Sequence, residues 1–200
     1  MPAIVRGRRL VAAALPLVAV LVAAATAGGA ATKKTWFGSS LNHEPANAGS
    51  TCPGGGSCAR AGSFYPGTSG RMKSPLSGKI VRFRIRAQGP MTARLEVVRL
   101  RKLSSDHRSA RAKLVSRGPR VKVKGGNGDE GTYPIESFKT HLKVHKGDIV
   151  AIETSRNMAE YCSDGTPGEL TFASVRRGSF RNSNSVVGCL LLVQAVVKRG

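Results

Sequence analysis

The chain predicts an all-β fold: an antiparallel two-sheet sandwich, jelly-roll-like, folding as a single domain behind an N-terminal signal peptide. Three observations carry this. Apolar and charged residues alternate with period two over 79–87 and again over 91–97, the spacing of a strand with one buried face. No stretch after residue 30 carries an apolar stripe at helical spacing. Turn-forming residues recur at intervals of roughly 10 to 20 residues, which suits short strands laid into two sheets.

The first element, 1–30, reads as a leader. Arg6, Arg8 and Arg9 precede an uncharged run from Leu10 to Ala27, and small residues close it at Ala25-Thr26-Ala27 or Gly28-Gly29-Ala30. A charged start, an apolar middle and a small-residue exit are the three parts of a secretory signal peptide. The run is long enough to rival a short membrane span, but its Ala, Gly and Thr suit a peptidase cleft better than an anchor. No Cys occurs before Cys52, which disfavours a lipid anchor at the cleavage point. The expected location is therefore secreted or extracellular, with the cell envelope possible and the membrane met only through the leader.

Residues 31–78 are rich in Gly, Ser, Pro and Asn and predict loops with short edge strands, including the apolar pairs Trp36-Phe37 and Phe64-Tyr65. The main strands of the same domain (31–200) are expected in 79–200. Val81, Phe83, Ile85 and Ala87 alternate with Arg82, Arg84 and Arg86; Gln88-Gly89-Pro90 ends that strand, and Met91, Ala93, Leu95 and Val97 build its return. A polar turn over 103–107 leads to strands at 110–116 and 121–123. Gly125 to Gly131 makes a flexible connection, where Asn-Gly suits positive φ. Tyr133 to Val144 leads to a turn at Lys146-Gly147-Asp148, and Ile149 to Ile152 starts the strand after it. Residues 157–168 predict a loop, 170–173 a strand, and 190–197 one last apolar strand.

With this order of elements, 77–85 (SGKIVRFRI) and 142–152 (LKVHKGDIVAI) resemble uncharacterised exported β-sandwich proteins of high-GC Gram-positive bacteria. The likeness spans roughly 35–198 and consists of strand-and-turn patterns. It implies fold and export, and carries no catalytic residue.

All four cysteines, Cys52, Cys58, Cys162 and Cys189, follow the leader, and an even count in an exported chain predicts two disulfides. Of the three pairings, Cys52 with Cys58 is favoured because Gly54-Gly55-Gly56 lets the short loop turn back; Cys162 then pairs with Cys189. The spacing is not that of a zinc site, so no metal and no cofactor is expected. His141 and His145 lie four apart on a strand, about 13 Å, too far for one ion.

Charge is the strongest signal. The full chain is +21 by formal count, and loss of the three leader arginines leaves +18, a balance that bears on partners rather than fold. Between residues 99 and 124, ten Lys and Arg face Asp106 alone. Arg82, Arg84, Arg86, Arg99, Arg101, Lys102, Arg111, Lys113, Lys122 and Lys124 are the candidate polyanion-binding residues, expected as one cationic sheet face. The competing explanation is a solvated outer face whose charge blocks edge-to-edge aggregation.

Catalytic signals are thin. No Gly-x-Ser-x-Gly elbow exists, and Glu136 and Glu153 are the only acids in strand-like segments with a chance of opposing each other. Asp148 is expected to cap its own turn, and Glu160, Asp164 and Glu169 to balance charge in a solvated loop. Aromatic platforms are scarce: one Trp, three Tyr and six Phe, with Phe83, Phe138 and Phe172 expected in the core. The expected function is a secreted, non-enzymatic binding or adhesion module for acidic polymers: cell-surface glycan, teichoic-acid-like polymer or nucleic acid. The alternative is an extracellular carbohydrate-active enzyme or sugar-binding accessory module, by fold analogy alone.

Overall fold

The structure, a computed structural model, describes residues 34–46, 49–62, 72–106, 108–127, 131–163 and 168–200. The leader, Phe64, Tyr65 and Asp164 lie outside the described residues. Every regular element among them is a strand. In chain order these are β1 (Lys34–Gly38), β2 (Ser50–Thr51), β3 (Cys58–Gly62), β4 (Gly78–Arg86) and β5 (Met91–Arg101). Then come β6 (Arg111–Val123), β7 (Ile135–Val144), β8 (Ile149–Thr154), β9 (Arg156–Asn157) and β10 (Glu160–Cys162). The last are β11 (Glu169–Phe172), β12 (Arg181–Asn182), β13 (Ser185–Val187), β14 (Cys189–Leu191) and β15 (Val193–Arg199).

Two antiparallel sheets dominate. A four-stranded sheet runs β1-β15-β4-β7, and a seven-stranded sheet runs β12-β6-β5-β8-β3-β11-β13. The alternation that predicted β4 and β5 sets their facing, and β7 alternates in the same way. Ile80, Phe83 and Ile85 from β4, Leu142 and Val144 from β7, and Val193, Ala195 and Val197 from β15 point inward. They meet Ala93, Leu95 and Val97 of β5 and Val150 and Ile152 of β8 in one shared core. Burial of this two-sheet interface at roughly 25 cal/mol per Å² is the main source of stability.

The large sheet curls. Its edge strands β12 and β13 are separated in the chain only by Ser183 and Asn184. Ser183 N–H donates to Ala110 at 2.9 Å and Asn184 N–H to Thr171 at 2.7 Å, so these two residues bridge from the β6 side to the β11 side. The concave side encloses a second core of Ala59, Ala61, Val98, Ala112, Leu114, Ile149, Ala151, Leu170 and Phe172. Alanines dominate it because a tightly curled sheet leaves little room inside.

Both disulfides form as expected, Cys52–Cys58 and Cys162–Cys189. The first loop turns through Gly54, Gly55 and Gly56, all at φ between 70° and 78°, a region that costs other L-residues free energy.

Four local expectations differ from the structure, the first being that 110–116 and 121–123 form one continuous strand, β6. The stretch 157–168 is not a plain loop: β9 pairs with β2, and β10 pairs with β14. The run 190–197 is two strands parted at Leu192, whose N–H donates to Ala159 and whose carbonyl accepts from Arg86. In the loop-rich part, β1 is an edge strand as expected, but β3 lies inside the large sheet between β8 and β11. Its sequence CARAG has no β-branched residue and a central charge, so strand propensity passed it over.

Candidate functional site

The outer face of the four-stranded sheet is cationic throughout. Strict alternation in β7 leaves Ser137, Lys139, His141 and Lys143 exposed. From β4 the same face receives Lys79, Arg82, Arg84 and Arg86, and from β1 Lys34 and Trp36. Across the sheet, Lys34 stands opposite Lys198, Lys198 opposite Lys79, and Lys79 opposite Lys143. One lysine from each strand therefore forms a row perpendicular to the strands, spaced by about 4.8 Å. A second cationic pair, Arg82 opposite Lys139, lies further along. Like charges directly opposite destabilise a sheet, yet no strand residue on this face is acidic and none of these lysines has an ion-pair partner among the described residues.

Arg84 and Arg86 are tied down. Arg84 donates to Gln194 and stacks its guanidinium 4.1 Å from the centre of the Trp36 ring. Arg86 donates to the carbonyls of Tyr133, Leu41 and His43 and pairs with Glu44 at 3.1 Å. Its role is to hold the 41–44 segment, which leaves Arg82 as the freest of the predicted trio.

The remaining predicted cations do not join one face. Arg99, Arg101, Arg111 and Lys113 are opposed in pairs, Arg99 with Lys113 and Arg101 with Arg111, on the side away from Leu100 and Ala112 of the concave core. Lys102 sits just past β5 at φ 51°. Lys122 lies nine residues along β6 from Lys113, about 30 Å away, on the side of Arg120. Lys124 follows β6, and its N–H donates to Glu136. Register irregularities opposite Glu96 and Val98 shift the phase of β6. Leu114 and Arg117, three apart, consequently share the concave side, so the simple period-two reading does not keep these cations together.

One end of the lysine row opens into a cleft of about 420 Å³ lined by Arg99, Lys113, Lys143, His145 and Arg177. Asp148, 1% exposed, underlies it. It accepts from Arg99 Nε at 2.8 Å and Nη2 at 3.2 Å, from the His145 N–H at 2.9 Å, and lies 3.1 Å from His145 Nδ1. The turn that makes this possible puts Gly147 at φ 88°. Asp148 thus caps its turn as expected and also fixes two side chains from different elements. The bond to Asp148 holds Arg99 above the usual guanidinium range.

A different charged group closes the mouth of the curled sheet. Glu96, fully buried, accepts from Arg117 Nε at 2.6 Å, while its Oε2 has no hydrogen-bond partner. Glu153 is ringed by Arg120 at 3.1 Å, Arg117 at 3.4 Å and Arg94 at 3.7 Å. Both acids line a cavity of about 220 Å³ with Ser57 and Ser174 at its wall. Burial pushes the Glu96 carboxyl up to about 7; Arg117 opposes this and the neighbouring Glu153 adds to it. Glu153 is therefore matched with Glu96, not with Glu136. Glu136 sits on the four-stranded sheet, where it accepts from the N–H groups of Lys124 and Gly125 and shares no partner with Glu153. Sequence reasoning missed Glu96 because a charged residue between Leu95 and Val97 reads as solvent-facing.

The acids near Cys162 are structural. Glu160 and Glu169 are fully buried around Arg60, itself 1% exposed, at 3.9 and 2.8 Å. Asn157 bridges both carboxylates. Burial raises the Glu169 carboxyl to about 7, against the pull of Arg60 and with the push of Glu160. The expected solvated loop is not what holds Glu160 and Glu169: both lie in the interior, two carboxylates against one arginine. Glu160, Cys162 and Cys189 lie within 4.8 Å of one another, yet both sulfurs are committed to the disulfide and cannot ligate. Of the aromatic candidates, Phe37 is buried and Trp36 is 40% exposed, while Tyr161 stacks on His43 at 4.7 Å. Among the described residues no helix is long and apolar enough to cross a membrane. Comparison with protein-family models, curated proteins and solved structures found no match.

Proposed function

We propose that this is an exported, non-enzymatic module that adheres to anionic polymers through the outer face of the four-stranded sheet. The observation that carries the reading is the row Lys34, Lys198, Lys79 and Lys143, uncompensated by any acid of that face. Four cations held in line by backbone pairing can meet successive anionic groups of a chain, and each neutralised contact releases counterions. The two disulfides are compatible with an extracellular location. Among the described residues no helix accompanies the face, so the reading is charge-led and not sequence-specific.

The test is a salt titration of the oxidised protein against duplex DNA, a sulfated glycan, a teichoic-acid-type polymer and a neutral glucan. The expected result is binding to the three polyanions with log affinity falling linearly against log salt, and none to the glucan. The double variant Lys79→Glu/Lys198→Glu should lose most of that affinity; unchanged retention would overturn the reading.

A second reading, a carbohydrate-active or sugar-binding module, rests on the Glu96–Glu153 cavity. A buried carboxyl raised to about 7 beside an arginine-ringed carboxylate is the kind of separation that acid–base chemistry uses. Salt-insensitive binding to the glucan alone, lost in Glu96→Gln, would favour it over the first.

A further inference from the structure

In the cleft at the β7 end of the lysine row, two side chains, Arg99 and His145, are held by one buried carboxylate, Asp148. Arg99 comes from β5, Lys113 from β6, Lys143 from the end of β7, and His145 from the turn after it. Arg177 comes from the connection between β11 and β12. Among the described residues Asp148 is the one carboxylate in contact with them; it is buried and accepts from Arg99 Nε and Nη2 and from the His145 N–H, with His145 Nδ1 3.1 Å away. With Nε and Nη2 of Arg99 bonded to Asp148, the guanidinium is held in place and Nη1 is the nitrogen not engaged by that carboxylate. The Nδ1 contact at 3.1 Å likewise holds the His145 ring against Asp148. Lys113 is steered by Phe180, whose ring lies 5.1 Å from its Nζ. Lys113, Lys143 and Arg177 have no carboxylate partner among the described residues.

We infer that this cleft is a seat for a single dianionic phosphate group, a phosphomonoester on a chain end or side branch. The inference deepens the polyanion reading, on which it rests for the polymer, by naming the group that one site takes. Arg99, Lys113, Lys143 and Arg177 against Asp148 leave a local excess of three positive charges without counting His145. That excess suits a phosphomonoester, which carries close to two charges above its second ionisation near pH 6, better than a sulfate ester or carboxylate carrying one. Arg99, tied to Asp148, and Lys113, placed against Phe180, are already ordered, which lowers the cost of binding. The other lysines of the row, Lys34, Lys79 and Lys198, have no such tie among the described residues and suit many weak contacts.

The experiment uses the whole oxidised protein and two small probes, phenyl phosphate and phenyl sulfate, titrated at about pH 7.5 while amide chemical shifts are followed. Phenyl phosphate should shift the amides around 113–116, 143–148 and 176–178, and bind about tenfold or more tightly than phenyl sulfate. Lys113→Ala/Arg177→Ala should weaken phenyl phosphate by about tenfold or more, Lys113→Arg should retain it, and Arg156→Ala, on β9 past the opposite end of β8 from Asp148, should leave it unchanged. Equal affinity for the two probes, or no loss in the double variant, would overturn the inference. The two readings fail separately. Polymer retention that survives Lys79→Glu/Lys198→Glu removes the sheet-face reading and leaves the phosphate titration standing. Polymer binding without phenyl phosphate binding removes the cleft alone.

Discussion

Arg60 and its two buried carboxylates set the chemistry of the interior. One guanidinium cannot neutralise both Glu160 and Glu169, and desolvation of two anions beside one cation is costly. The fold resolves this by letting Glu169 keep its proton up to about pH 7. The consequence for stability follows from the sign of that shift. The folded state holds a proton over the window from about 4.5, the ordinary value, to about 7, where the unfolded chain has lost it. Folding therefore takes up a proton in that window, and this contribution is fully present below it and lost as pH rises through it. Glu96 acts in the same direction over the same window. Glu169→Gln should flatten the fall in stability between these limits by roughly 3 kcal/mol. Denaturant unfolding at a series of pH values checks it: a wild-type minus variant difference independent of pH would refute the raised carboxyl.

At the scale of elements, short strands are secured by covalent and ionic ties where hydrogen-bond ladders are brief. β10 and β14 have three residues each, and Cys162 faces Cys189 directly across the pair. The Cys162–Cys189 bridge closes 27 residues, worth about 3 to 4 kcal/mol in the chain-entropy model. Replacing both cysteines by Ala should lower unfolding stability by about that amount. Loss of the six-residue Cys52–Cys58 bridge should cost less, about 2 kcal/mol. Equal losses, measured by chemical denaturation, would mean that local strain and not loop length governs. The lysine row also belongs to this scale. It exists because four strands from distant parts of the chain pair in one register, with Lys34 and Lys198 at opposite ends of the described sequence.

Over the whole molecule, a charge of +21 for the chain repels itself, and the sheet face adds local repulsion that no internal acid relieves. Screening shortens the reach of such repulsion to about 8 Å at physiological ionic strength. Thermal stability should therefore rise with added sodium chloride over the range in which polymer affinity falls. If salt lowered the melting temperature instead, the buried ion clusters would outweigh the surface. Opposite responses of stability and binding are expected of a surface whose like charges are held apart for an external anion.

The sequence by itself determined the all-β class, because period-two alternation in β4 and β5 admits only strands with one buried face. It also determined the favoured disulfide pairing, through the glycines between Cys52 and Cys58, and the basic character of the chain. Tertiary structure decided the rest. Whether a charge is inside or outside depends on its neighbours across strands, so Arg60, Glu96 and Glu169 could not be read as buried from their own surroundings. Bulges in β6 changed the phase of its side chains and dispersed cations that are close in sequence. Pairing of β1, β15, β4 and β7 gathered lysines that are far apart in it. Periodicity is a local property of a strand; register and sheet order are contacts between distant segments, and the candidate site is made of those contacts.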